Sequence, residues 1–230
     1  MLLGVHWLRY QFLPGDQRQE DLQGCLKCSA ALLQGAPHLV PEPVRARLAD
    51  RGTSADFTAA EATDRGAVLF GNYQRTGNIQ LLRAAISHFS EAVAAVPADD
   101  PGRPGMLSNL GAALRARFER TGQLADLDQA ITLLTQAVDT APADHPDRPL
   151  YLSNLGNALQ GRFGQTGQLA DLDQAITAGR EAVDATPAGH PNGPMYLSNL
   201  GTALRSRFGR TGQLADLNEA IDFFREAAGC

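Results

Sequence analysis

The sequence predicts an all-α solenoid of antiparallel helix hairpins, and three observations carry that prediction. Leu107-Ser108-Asn109-Leu110-Gly111 recurs 45 residues on as Leu152-Ser153-Asn154-Leu155-Gly156, and 45 after that as Leu197-Ser198-Asn199-Leu200-Gly201. Thr121-Gly122-Gln123-Leu124-Ala125-Asp126-Leu127 recurs at the same interval, from Thr166 and from Thr211. Between these strings lie apolar stripes of helical, not strand, period. A fixed period of this length marks stacked supersecondary units, none of which buries its apolar face alone.

Within one unit, Leu107, Leu110, Gly111, Leu114 and Phe118 form one stripe of a first helix. That helix should end at Thr121-Gly122, since glycine is the usual residue just past a helix end. Leu127, Ala130, Ile131, Leu134, Ala137 and Val138 form the stripe of a second helix. Asp126 with Gln129 three later reads as a capping box for it, and Pro142 should stop it. Gly111 costs about 1 kcal/mol against alanine inside a helix. Its recurrence as Gly156 and Gly201 predicts that the second helix crosses close to the backbone there.

Along the chain, residues 1–57 read as a degenerate first repeat plus an inserted short helix. Gly4, Trp7, Gly15, Cys25 and Pro37 follow the later spacing once two residues are inserted before Leu22. Pro41 and Pro43 precede a short helical run, Val44 to Ala49, and Arg51-Gly52-Thr53-Ser54 reads as a turn. Residues 58–230 hold four repeats. In the first of these, Gly66, Leu69, Tyr73, Ala85, Phe89 and Pro97 fall 45 before their counterparts. The next three open at Pro104, Pro149 and Pro194, and the last stops at Cys230, before its closing proline. Gly179 occupies the place of Phe89, Leu134 and Phe224 and leaves that stripe short of one large side chain. Arrays usually end in a polar cap, so self-association through the uncapped C-terminal repeat is expected.

The order Leu107, Leu110-Gly111, Leu114, Ala130, Leu134, Pro142 resembles the tetratricopeptide repeat family. The family period is about 34 residues. The 11 extra residues fall in three places: four between Leu114 and Gly122, three between Gly122 and Ala130, and four between Pro142 and Gly156. Long repeats rich in Thr-Gly-x-Leu-Ala-Asp-Leu are similar to those preceding caspase-like CHAT domains in actinobacterial proteins. The resemblance implies a right-handed superhelix whose first helices line a concave groove for a peptide or protein segment. It also implies an alternative role, as the sensor or regulatory arm of a larger CHAT-type protease whose catalytic part lies outside this chain.

Composition narrows the partners. Net charge is −5 over 230 residues and the pI is about 5.5, which disfavours nucleic acid and anionic membrane as partners. Three cysteines make no disulfide framework and fit a reducing, cytoplasmic setting. Met1 to Leu13 is apolar but holds His6 and Arg9, with no basic leader or small-residue cleavage site, so it is not read as a signal peptide. No run approaches the roughly 18 apolar residues of a membrane span.

No residues converge on a catalytic site, and no cofactor or metal is expected. Cys25-Leu26-Lys27-Cys28 lacks the second pair that a structural zinc site needs. Cys25 falls at the small buried position of Ala130. His145 and His190 recur in the inter-repeat loops, two potential ligands without a third. Thr-Gly-Gln-Leu is a turn, lacking the glycine run and lysine of a phosphate loop. The candidate groove residues lie off the apolar stripe of the first helices. They are Ser108, Asn109 and Arg115 in one repeat, Ser153, Asn154, Asn157 and Gln160 in the next, then Ser198, Asn199, Thr202 and Arg205. Asparagine is a mediocre mid-helix residue, so three in register need a reason. They either exchange hydrogen bonds with a bound backbone or hold neighbouring repeats in register.

Overall fold

Four helix pairs follow one another along the described part of the chain, residues 54–229 of a computed structural model. They are α1 (Ser54–Thr76) with α2 (Ile79–Ala95), α3 (Arg103–Thr121) with α4 (Leu124–Thr140), α5 (Arg148–Thr166) with α6 (Leu169–Asp184), and α7 (Gly193–Thr211) with α8 (Leu214–Ala227). There is no strand among the described residues. The degenerate first repeat expected before residue 58, with its Cys25-x-x-Cys28, lies outside them. Residues from Ala62 onward form one compact unit. The helix that opens the first pair begins at Ser54, where a turn was expected. Nothing between Ser54 and Arg65 breaks a helix, since the stretch holds neither glycine nor proline.

The turns are set by glycine. Gly122 takes a left-handed conformation at φ 71° and donates its N–H to the Phe118 carbonyl at 2.7 Å. Gly77, Gly167 and Gly212 repeat this geometry, as a helix end needs a residue without a Cβ there. The second helix starts two residues before the position read as its cap. Gln123 is the capping residue of α4 and offers no side-chain bond. Asp126 therefore lies in the first helical turn, where Arg117 holds its carboxylate away from the backbone amides.

Both stripes are buried as their period requires. Leu107, Leu110 and Leu114 of α3 face Leu127, Ala130, Ile131 and Leu134 of α4, all within the core. α3 packs on α4, α5 on α6 and α7 on α8, while α2 meets α3, α4 meets α5 and α6 meets α7 across the repeat boundaries. Consecutive first helices also touch, α3 with α5 and α5 with α7. The core is thus a continuous strip, and the first helices of the last three repeats make one face.

The predicted close crossing at the repeated glycine is present. A Cβ placed on Gly111 would stand 2.7 Å from Leu134 Cγ, on Gly66 2.6 Å from Phe89 Cδ1, and on Gly201 2.9 Å from Phe224 Cε1. Each large side chain of the second helix closes on the glycine of the first. At Gly156 only the Ala175 backbone lies within 4 Å, because Gly179 supplies no side chain. Part of that space is taken from the other side by Leu200 of α7, whose Cδ1 lies 3.1 Å from where a Cβ on Gly179 would stand.

Candidate peptide-binding face

The first-helix face is built from one register of residues repeated at each level. Asn109, Asn154 and Asn199 are half-buried along it. Two of them reach across a repeat boundary: Asn154 Nδ2 donates to Ser108 Oγ at 3.1 Å, and Asn199 Nδ2 donates to Ser153 Oγ at 2.9 Å. Ser108 and Ser153, expected on the groove surface, are buried, 2% and 4% exposed. The ladder is therefore engaged in joining repeats, through the amide nitrogens. The carbonyl ends of the two asparagines take no part in these bonds.

One turn further along, the residues are less completely used. Arg115 pairs with Glu119 through its NH1 group, but its Nε is buried with no hydrogen-bond partner. Gln160, one repeat later at the same place, has a buried Nε2 that also lacks a partner. Arg205, at the next level, is exposed. Thr202 donates its hydroxyl to the Ser198 carbonyl at 2.8 Å, a bond within its own helix. Gln160, Asn157, Ser153 and Asn199 line a small cleft between α5, α6 and α7, with free space of about 10 Å³.

The polar residues that the periodicity reading passed over are the arginine–aspartate pairs. Arg117 grips Asp126 with two donors, Nε to Oδ2 at 2.8 Å and NH2 to Oδ1 at 2.6 Å. Arg162 does the same to Asp171, at 3.1 and 2.7 Å, and Arg207 to Asp216, at 2.9 and 2.7 Å. The remaining NH1 of Arg162 donates to Asp128 of the preceding repeat, and that of Arg207 to Asp173. The aspartates are buried, and a fork-shaped guanidinium satisfies a carboxylate as two parallel bonds. These bonds raise the pKa values of all three arginines, and Arg207 holds the Asp216 carboxyl below its usual range. The signal was present in the sequence as arginine and aspartate recurring nine residues apart on the two helices. Arg83 stands where Asp128 and Asp173 stand, so the corresponding site facing Arg117 holds no carboxylate.

The loops are tied separately. Arg103 NH1 donates to the carbonyls of Val93 and Val96 at 2.6 and 3.0 Å, and Arg148 NH1 donates to that of Val138. Gly193 occupies this position at the last boundary, so α6 and α7 have no such clamp. His145 and His190 each accept a backbone N–H two residues on and lie against Tyr151 and Tyr196. They serve as loop residues. No group of three metal-ligating side chains occurs among the described residues, and no helix described is long and apolar enough to cross a membrane.

Residues 105–147 match the family model described as tetratricopeptide repeat. No curated protein matches the sequence. Among solved structures, a Q17M variant of the nearly identical TPR-like repeats of a candidate kinesin light chain from Podosopora anserina is similar at a TM-score of 0.50 and 14% identity. That match covers all (100%) of this chain and 95% of the other. The parent form of those repeats gives 0.48 at 16% identity over 98% and 94% of the two chains. MamA gives 0.49 at 15% identity over 93% and 90%. The matched segment is thus similar to a tetratricopeptide repeat, and helix pairs of the same kind precede and follow it.

Proposed function

We propose that the chain is a non-enzymatic interaction scaffold that binds an extended peptide or protein segment along the face of its first helices. One observation supports this most directly. Arg115 Nε and Gln160 Nε2 are buried donors without acceptors, one repeat apart at the same register. A buried unpaired donor costs roughly 1–3 kcal/mol, and carbonyl groups of a bound segment would relieve both. Arg115 and Arg205 on either side of the neutral Gln160 favour acidic side chains or a terminal carboxylate, which guanidinium receives in a fork. Asn109, Asn157 and Thr202 lie along the same path, and the carbonyl ends of Asn154 and Asn199 offer acceptors to a backbone. Residues 1–57 belong to this reading as a degenerate first repeat with an insertion, and residues 58–230 as four repeats. Exposed Leu214 and Ile221 on α8 favour self-association through the last repeat.

The test is selection of peptides from a random displayed library on the purified chain, followed by titration of the selected peptides against variants. Arg115→Ala and Gln160→Ala should each weaken binding several-fold with little change in melting temperature. Selected peptides indifferent to both changes would overturn the reading. The regulatory-arm alternative is carried by the Thr-Gly-Gln-Leu-Ala-Asp-Leu strings. A strand-rich segment with histidine and cysteine in the same reading frame is what would support it.

A further inference from the structure

Arg162 and Arg207 each place the third nitrogen of their guanidinium on a carboxylate of the preceding repeat, Asp128 at 3.2 Å and Asp173 at 2.9 Å, 34 residues back in sequence. The same count back from Arg117 falls on Arg83. α2 meets α3 as α4 meets α5 and α6 meets α7, so Arg83 stands at the position from which the two aspartates reach their arginines. Arg117 is otherwise engaged as its two counterparts are, with Nε and NH2 on Asp126. Its NH1 has no hydrogen-bond or ion-pair partner among the described residues, and neither has the exposed guanidinium of Arg83. We propose that these two arginines form an anion site at the edge of the helix turns, and that its ligand is the carboxylate of an aspartate or glutamate side chain on a partner protein.

The choice of ligand follows from the sister repeats. Each of them already holds a carboxylate against the same arginine nitrogen, so the packing around that nitrogen admits one. Charge points the same way. One arginine with two aspartates gives each sister site a net negative charge, whereas Arg83 and Arg117 with Asp126 give this one a net positive charge. A single carboxylate neutralises it. A dianion such as phosphate would leave excess negative charge beside the Asp126 carboxylate. Arg83 is exposed and flexible, and its planar fork suits a carboxylate already received by Arg117. The site is separate from the first-helix face. Arg115, two residues before Arg117, lies about 200° from it around α3, and Arg117 is turned toward the first turn of α4.

The full chain would be titrated at neutral pH and constant ionic strength with N-acetyl-aspartic acid N-methylamide, whose only charge is its side-chain carboxylate. The asparagine counterpart is the control, and the guanidinium resonances of Arg117 are followed by NMR. A saturable shift with the aspartate derivative alone is expected. Arg83→Ala should weaken it by about two- to fivefold, the range of one exposed ion pair. Arg83→Asp, which restores the arrangement of the sister repeats from within, should abolish it. Asp128→Arg should build a second site and make the Arg162 resonances respond in the same way. Positions 83 and 128 are both exposed, so these variants keep the fold. An Arg117 indifferent to the aspartate derivative, an equal response to asparagine, or an undiminished response in Arg83→Asp would overturn the proposal. Tighter saturation by inorganic phosphate would overturn the carboxylate as its ligand. Arg115→Ala should leave the titration unchanged, and a loss there would overturn a site apart from the first-helix face.

Discussion

Asn154 extends its side-chain amide back across the repeat boundary to Ser108, 3.1 Å from nitrogen to hydroxyl oxygen and 46 residues apart in sequence. Asn199 stands in the same relation to Ser153. The serine is buried in each pair and the asparagine half-buried, so the bond is shielded from competing water. Replacing Asn154 and Asn199 together by alanine should therefore destabilise the array, by about 1–3 kcal/mol for two bonds. A chain of this size loses roughly 2–4 °C of melting temperature per kcal/mol. Thermal unfolding followed by circular dichroism checks this. An unchanged transition together with lost peptide binding would instead place these asparagines in the groove.

The arginine–aspartate pairs predict a larger effect. Arg162→Ala leaves Asp171, 2% exposed, without its two donors. Removing one partner of a buried pair costs about 3–5 kcal/mol. Arg162 itself is a quarter exposed, and water reaching the site reduces the loss to about 2–4 kcal/mol. The double change Arg162→Met with Asp171→Leu should recover most of it, since no charge is then left buried. Urea unfolding of the three variants measures the difference. A double variant no more stable than the single one would show that the pair contributes more than mutual satisfaction.

The glycines divide by what their neighbours can do. Gly179→Ala gains about 1 kcal/mol of helix propensity, and of the Leu200 atoms its new Cβ meets, only Cδ1 is tight, at 3.1 Å, with Cβ at 3.4 Å and Cα at 3.6 Å. It should stabilise. Gly111→Ala gains the same but drives into Leu134 at its branching carbon, 2.7 Å away in a fully buried side chain. Overpacking of this kind costs about 1–3 kcal/mol, so a net loss is expected. Equal effects of the two changes in thermal unfolding would contradict the crossing geometry.

Tyr151 supplies a pH dependence. Burial pushes its phenol up to about 12, with Asp147 adding to the shift. Burial also raises Tyr196, against an opposing hydrogen bond from Asn192. A raised folded pKa means that the stabilising contribution is fully present below the unfolded value, about 10. It is lost as pH rises from there through about 12. Absorbance titration near 295 nm should show phenols ionising later than free tyrosine. Stability should fall over the same alkaline window. Tyr151→Phe should flatten that fall, and a variant with an unaltered profile would refute the assignment.

The helix pairs, their glycine turns and the close crossing at Gly111 were legible because periodicity and backbone freedom are local properties. Asp126 was misread for the same reason. A capping box satisfies nearby amides, and only the packed structure brings Arg117 from the other helix to compete for the carboxylate. The asparagine ladder was visible as a pattern but not as a bond, because Ser108 and Ser153 are small enough to be read as surface. Gly179 was seen as a missing side chain. That Leu200 moves into part of the vacancy depends on the next repeat, which no single stripe reveals.

The bonds across the repeat boundaries are keyed to fixed separations, 46 residues for asparagine to serine and 34 for arginine to aspartate. Remove residues 149–193 as a block, and Asn199 inherits Ser108 while Arg207 inherits Asp128. Every such partner is restored. The gene can therefore lengthen or shorten this protein in steps of 45 codons without rewriting its joints. The excised block in that example would take Gly156 and Gly179 with it, so a shorter descendant would keep its architecture and forfeit its cleft.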